Sequence, residues 1–128
     1  MEQKTHLAID PEWVGVVEEL EEGRSRVALA ARPEMAADSR GLVHGGFTFG
    51  LADYAAMVAV NDPNVVLGAA DVRFTAPVRV GQRMVAEATV AGAGGKRRDV
   101  RVSVTADGVK VLEGSFAAFV LDRHILDR

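Results

Sequence analysis

The sequence predicts an α+β protein in which an antiparallel β-sheet wraps around one long central α-helix. Three observations predict it. The segment HGGFTFGLADYAAMVAV, His44 to Val60, reads as a helix that is apolar on almost every side. After it, the chain up to Leu121 holds only β-rich, largely alternating stretches parted by glycine turns. Ahead of it lies one hairpin-like segment. A helix that needs burial on all sides has to be enclosed by a sheet rather than laid across it. The sheet's other face and its edges then call for dimerisation or higher association.

The elements follow in order. Trp13 to Leu20 is β-rich, Glu21-Glu22-Gly23 is a turn, and Arg24 to Ala31 returns with Val27, Leu29 and Ala31 on one face. Pro33 to Arg40 is a polar loop ending at Gly41. The helix is expected to start near Gly46 or Phe47 and to run to about Val60. Phe47, Leu51, Tyr54, Ala55 and Val58 form one face, and Phe49, Asp53, Met57 and Val60 the other. Asn61-Asp62-Pro63-Asn64 ends it, because Pro63 disfavours helical geometry at Asp62. Val65 to Pro77 is a long strand with a bulge or bend at Gly68. Met84 to Ala91 alternates, as do Val100, Val102 and Val104 against Arg101, Ser103 and Thr105. Gly92-Ala93-Gly94-Gly95 and Asp107-Gly108 supply hairpin turns, and Val109 to Leu121 closes the set. The 128 residues fit a single domain, 1–128, with no repeat or linker.

Bulk composition narrows the function classes. A hydrophobic share of 48% with 26% charged residues is that of a globular protein. The net charge of −3 argues against nucleic-acid binding, which favours a basic domain. There is no cysteine, so disulfides, thiolate catalysis and Cys-ligated metal drop out. His6, His44 and His124 are far apart and lack ligand spacing, so no metal is expected and no cofactor is called for. Leu42 to Val60 is long enough to suggest a membrane span, but a central Asp costs roughly 2.5–3.5 kcal/mol there. No membrane role is expected. MEQKTHLAIDPEW has no apolar export signal, which makes a cytoplasmic location the expectation.

The one acid in the apolar helix raises the functional question. A helix start carries unpaired N–H groups and roughly half a positive charge. Gly45 and Gly46 have no side chain, so a ligand atom can approach that backbone, and donors fixed there form an oxyanion hole. His44 adds a side-chain donor. Asp53 is a candidate base or nucleophile, or equally a structural carboxylate bonded to amides. From Gly46 to Asp53 is about 10 Å at ~1.5 Å per residue, too far for one reacting carbon to touch both. Two such helices packed antiparallel about a twofold axis would bring one chain's Asp53 to the other's glycines.

At these residues the sequence resembles the hotdog-fold acyl-CoA thioesterases, in the branch typified by phenylacetyl-CoA thioesterase. HGGFTFGLADYAAMVAV matches its His-Gly-Gly and Leu-x-Asp pattern, and VRFTAPVRVGQRMVAEATV a recurring Phe-x-x-Pro-x-x-x-Gly stretch. The likeness spans about residues 12–121. It implies a hotdog fold, a homodimer or dimer of dimers, and hydrolysis of an acyl-CoA thioester. It implies further that Gly46 supplies the oxyanion N–H, that Asp53 of the partner subunit is base or nucleophile, and that His44 orients the thioester carbonyl.

Coenzyme A carries several negative charges, which makes Arg73, Arg79 and the Lys96-Arg97-Arg98 cluster candidates for its phosphates. Gly45, Phe49, Tyr54, Met57 and Phe74 are candidates to line the acyl site, with core packing as the alternative for the larger four. Some hotdog domains bind acyl-CoA without cleaving it and are fused to DNA-binding segments. With about ten residues ahead of the first strand and Asp53 in place, hydrolysis is the expectation here, and a non-catalytic acyl-CoA-binding module the alternative.

Overall fold

In the computed structural model, which describes residues 1–127, a six-stranded antiparallel sheet encloses one long helix. The chain runs α1 (Pro11–Val14), β1 (Val16–Glu21), β2 (Arg24–Ala30), a 3-10 turn (Pro33–Met35), α2 (Gly45–Val60), β3 (Val65–Phe74), β4 (Arg83–Gly94), β5 (Arg97–Ala106) and β6 (Val109–Val120). The strand order is β1-β2-β4-β5-β6-β3, so the chain leaves α2 for the far edge of the sheet, crosses to β4 beside β2, and then runs outward through β5 to β6 next to β3. Helix α2 touches all six strands. This is the hotdog arrangement that the sequence predicts.

Alternation decides which side chains reach the helix. Val27 and Leu29 of β2, Met84, Ala86 and Ala88 of β4, and Val100, Val102 and Val104 of β5 are buried at every second position. They meet Leu51, Ala52, Ala55, Ala56, Val58 and Ala59 of α2, where four alanines let the sheet approach closely. The buried Ser25 hydroxyl donates to the Ala55 carbonyl at 2.7 Å and so ties β2 to the middle of the helix. Truncating a fully buried Leu51 or Met57 to alanine should cost ~2–5 kcal/mol.

Several boundaries differ from the sequence expectation. Trp13 and Val14 lie in the short helix α1, not in a strand. Asp10 caps it by accepting the Glu12 N–H at 2.9 Å, and Pro11 takes the first position. The strand begins only after Gly15, whose φ of +106° and closeness to Val27 and the Ala28 carbonyl exclude a side chain. Helix α2 starts at Gly45 and runs to Val60 as expected, capped by Asn61 in the left-handed region, whose N–H donates to the Met57 carbonyl. β3 stops at Phe74 instead of continuing to Pro77, and the bulge falls at Gly68 as expected. Of the four glycine-rich residues expected to turn, Gly92 and Gly94 stay in β4 with a bulge between Val90 and Gly92. Only Gly95, at φ +57°, turns with Lys96.

Burial of α2 is also uneven. Its second half is covered on the side away from the sheet by the N-terminal segment. There the Gln3 side-chain amide donates to the Tyr54 hydroxyl at 3.0 Å, Asn61 donates to the Glu2 carbonyl, and the Lys4 N–H donates to Asn61 Oδ1. Its first half has no such cover. Gly46 is exposed, and Phe47, Phe49, Gly50 and Asp53 are half-buried.

Candidate active site

The start of α2 is anchored by a short bridged segment. The Val43 N–H donates to the Val78 carbonyl and the His44 N–H to the Met35 carbonyl, both at 2.9 Å. Leu42 bridges Arg79 on the next loop. His44 is the N-cap in extended geometry, with its side chain making no capping bond. Its carbonyl accepts the Phe47 N–H at 3.1 Å. Among the described residues the amides of Gly45 and Gly46 have no partner, which leaves two donors free at the positive end of a sixteen-residue helix.

The His44 ring is held by aromatic packing. It meets the edge of Phe47 at 6.0 Å between centroids, Phe47 stacks on Trp13 at 5.7 Å, and the Arg32 guanidinium caps the Trp13 face at 4.4 Å. The ring lies over Gly46, where a β-carbon would sit 3.0 Å from its Cδ2 and Nε2.

Asp53 lies on the same face of α2 as Gly46, seven residues on, with Gly50 between them. A side chain at Gly50 would meet nothing within 4 Å, so the track from Gly46 to Asp53 is open. Asp53 Oδ1 is buried without a hydrogen-bond partner among the described residues. Burial pushes the carboxyl up to about 6. The axial separation of about 10 Å keeps the acid and the glycine amides of one chain apart.

Beside the helix start, Val43, Gly45, Thr48, Phe74, Pro77 and Val78 help line a groove of about 450 Å³. It is mostly apolar, and Gly45 at the helix start forms part of its wall. Phe74 approaches Gly45 closely enough that a β-carbon there would touch its ring at 3.4 Å. Gly45, Gly46, His44 and Phe74 are thus brought together, as the sequence suggests.

Other candidates are placed elsewhere. Phe49 packs on Phe116 of the sheet at 5.5 Å, and Met57 is buried in the core. The Tyr54 hydroxyl holds Gln3. Arg73, neighbour to Phe74 on β3, falls on the outer face of the sheet in a cleft with Asp71, Glu87 and Glu113. Lys96 pairs with Asp122, Arg97 with Asp99, and Arg98 donates to the Gly95 and Arg97 carbonyls. Arg79 lines a second cleft with Arg40, a residue that the sequence reading passed over. Thr48, Pro77 and the Trp13–Phe47 stack are the other features it missed. Among the described residues no three His, Asp or Glu side chains could hold a metal ion, and no helix is long and apolar enough to cross a membrane.

Comparison with known proteins bears on this geometry. An uncharacterized protein of Pyrococcus horikoshii superposes with a TM-score of 0.97 at 51% identity, over 99% of this chain and 98% of that one. The phenylacetic acid degradation protein PaaI of Thermus thermophilus, in a mutant structure, gives 0.78 at 29% identity over 87% and 97%. Two curated relatives carry other names. A methylthioribose-1-phosphate isomerase of Aquifex aeolicus is 45% identical over 95% of this chain, and the transcription factor FapR of Shouchella clausii 33% identical over 88%. This chain spans only 27% of the first and 60% of the second. Residues 40–113, which carry the His-Gly-Gly turn, the whole of α2, and β3 to β5, match the thioesterase superfamily. The chain belongs to the thioesterase superfamily.

Proposed function

We propose that the protein is a cytoplasmic acyl-CoA thioesterase whose site is shared between two subunits. The observation that carries this reading is the pair of unmet needs on one face of α2. A buried carboxylate oxygen lacks a donor, and two glycine amides lack an acceptor, about 10 Å away along the same helix. A twofold axis beside the uncovered half of α2 would answer both needs at once. The edge strand β3, ten residues long and unpaired on its outer side, offers a second surface for the same association. Membership of the thioesterase superfamily and the likeness to a phenylacetic acid degradation protein support this reading.

In this reading the thioester carbonyl oxygen lies against the Gly46 N–H, with the His44 ring beside it. Asp53 of the other subunit takes a proton from water, which attacks the carbonyl carbon, and the negative charge collects on the oxygen facing Gly46. Collapse breaks the C–S bond and releases a thiolate, which takes up the proton from Asp53. Direct attack by Asp53 would instead give an anhydride that water then opens. Label found in Asp53 after a single turnover in 18O-water would establish the anhydride route with water opening at the Asp53 carbonyl, since the water route places label in the released acid alone.

The test is hydrolysis of a panel of acyl-CoAs, read as free thiol, by wild type and Asp53→Ala, with the mass of the particle in solution measured alongside. Turnover by a dimer or tetramer that falls at least a hundredfold in the variant supports the reading. A monomer, or a variant as fast as wild type, ends it. The transcription-factor relatives favour one other reading, a module that binds an acyl-CoA without cleaving it. Tight binding with no turnover by any ester would mark that outcome.

A further inference from the structure

The cleft next to the groove is lined by two arginines and one acid. Arg40 and Arg79 line it together with Asp38, Leu42 and Pro77, in a volume of about 400 Å³. Neither arginine has a carboxylate within ion-pair distance among the described residues, although the chain as a whole carries net charge −3. Asp38 is already engaged, for its Oδ1 accepts the Arg40 and Leu42 amides at 2.9 and 3.1 Å and fixes the loop that presents Arg40. Arg79 is fixed through its backbone, which bridges Leu42 and donates to Gln82 Oε1 at 2.8 Å. Two guanidinium groups on tethered backbones therefore face one cleft with a single carboxylate between them.

The cleft and the groove at the helix start are neighbours. Pro77 lines both, and the chain passes from Leu42 in the cleft to Val43 and Gly45 in the groove. From Arg40 to Gly46 is six residues, a span of at most ~20 Å, comparable to an extended pantetheine arm. Guanidinium groups are the side chains best matched to phosphate oxygens.

We infer that Arg40 and Arg79 bind the phosphate end of a phosphopantetheine-bearing thioester whose acyl end lies beside Gly45 and Phe74. The inference rests on the thioesterase reading for its ligand class, and it names the part of the carrier that the protein grips. Coenzyme A and the arm of an acyl carrier protein share this chemistry.

Titration calorimetry with unacylated probes tests it without any turnover. Coenzyme A, 4′-phosphopantetheine and pantetheine are titrated into wild type, the double variant Arg40→Gln/Arg79→Gln, and Arg24→Gln/Arg101→Gln as a charge-matched control on the outer face. Losing two charge-assisted contacts should weaken coenzyme A at least tenfold, with the control within twofold of wild type. An equal loss for 4′-phosphopantetheine places the contact on the phosphate common to both carriers. A loss for coenzyme A alone places it on the nucleotide and makes coenzyme A the carrier. The inference is overturned if the double variant binds coenzyme A like wild type, if the control weakens as much, or if wild type binds neither phosphorylated probe more tightly than pantetheine. Failure of hydrolysis leaves these titrations unmoved, so the two readings fail separately.

Discussion

The imidazole of His44 lies beside Gly46 where a side chain would stand: a β-carbon at position 46 would lie 3.0 Å from both Cδ2 and Nε2, close enough that the ring would have to shift. Ring and amide thus form a unit in which the absence of a side chain on one residue sets the position of the other.

Replacing Gly46 with alanine separates function from stability. The methyl group pushes the ring off the amide and blocks access to it, while alanine suits a helix better than glycine by up to ~1 kcal/mol. Thioester turnover should fall ten- to a hundredfold with Tm unchanged or slightly raised. Steady-state kinetics and a thermal melt on the same sample check both halves.

The pH profile should report Asp53. Its carboxyl is pushed up to about 6 by burial, and the base acts only when ionised. kcat/KM is expected to rise about tenfold per pH unit below pH 6 and level off above it. Donors contributed by a partner subunit would move that bend to lower pH. A rate with no acid limb at any pH down to the point where the protein unfolds would exclude Asp53 as the base.

Asp53→Asn should be the reverse trade, inactive yet more stable at neutral pH. A carboxyl whose pKa is raised in the folded chain favours the protonated form there, so stability is lost as pH rises from about 4, the unfolded value, through about 6. Allowing for solvent around a half-buried group, the loss at pH 7 is about 1–2 kcal/mol. Denaturation curves at pH 4 should therefore nearly coincide for variant and wild type, and at pH 7 the variant should unfold later.

Tyr54→Phe removes the hydroxyl that accepts from Gln3 at 3.0 Å. One part-buried hydrogen bond contributes ~0.5–1.5 kcal/mol, here spent on holding residues 2–6 against α2. Amide exchange at Thr5, buried in wild type, should accelerate in the variant with the β4 and β5 amides unchanged.

Much of this architecture was legible in the residues themselves. The run from Phe47 to Val60, apolar on nearly every side, reads as a largely buried helix, and Asn61 to Asn64 closes it. The alternation in β4 and β5 marks their inner faces, and Gly68 marks its bulge. The helix rise alone separates Asp53 from Gly46. Other features carried a signal that went unused. Asp10-Pro11 is a cap followed by a first-turn proline, and it announces α1 before Trp13. Strand parity places Arg73 and Phe74 on opposite faces, so one pocket cannot take both. The rest depends on distant partners. Nothing local to Tyr54 names Gln3, and four nearly equivalent glycine-rich residues do not reveal that only Gly95 turns the chain. Arg40 gains meaning only once Arg79, brought in by the Leu42 bridge, stands beside it.

The far-edge position of β3 has a bearing on how the chain assembles. Among the described residues its sole neighbour is β6, the last strand of the chain, so Val65 waits for Val120 and Phe74 for Leu112. Until the last strand has left the ribosome, β3 has nowhere to dock, whereas β1, β2, β4 and β5 can already pair. Contacts of such long loops slow folding into the millisecond-to-second range, and the nascent protein should spend that interval with its middle segment as the part most open to chaperones and proteases.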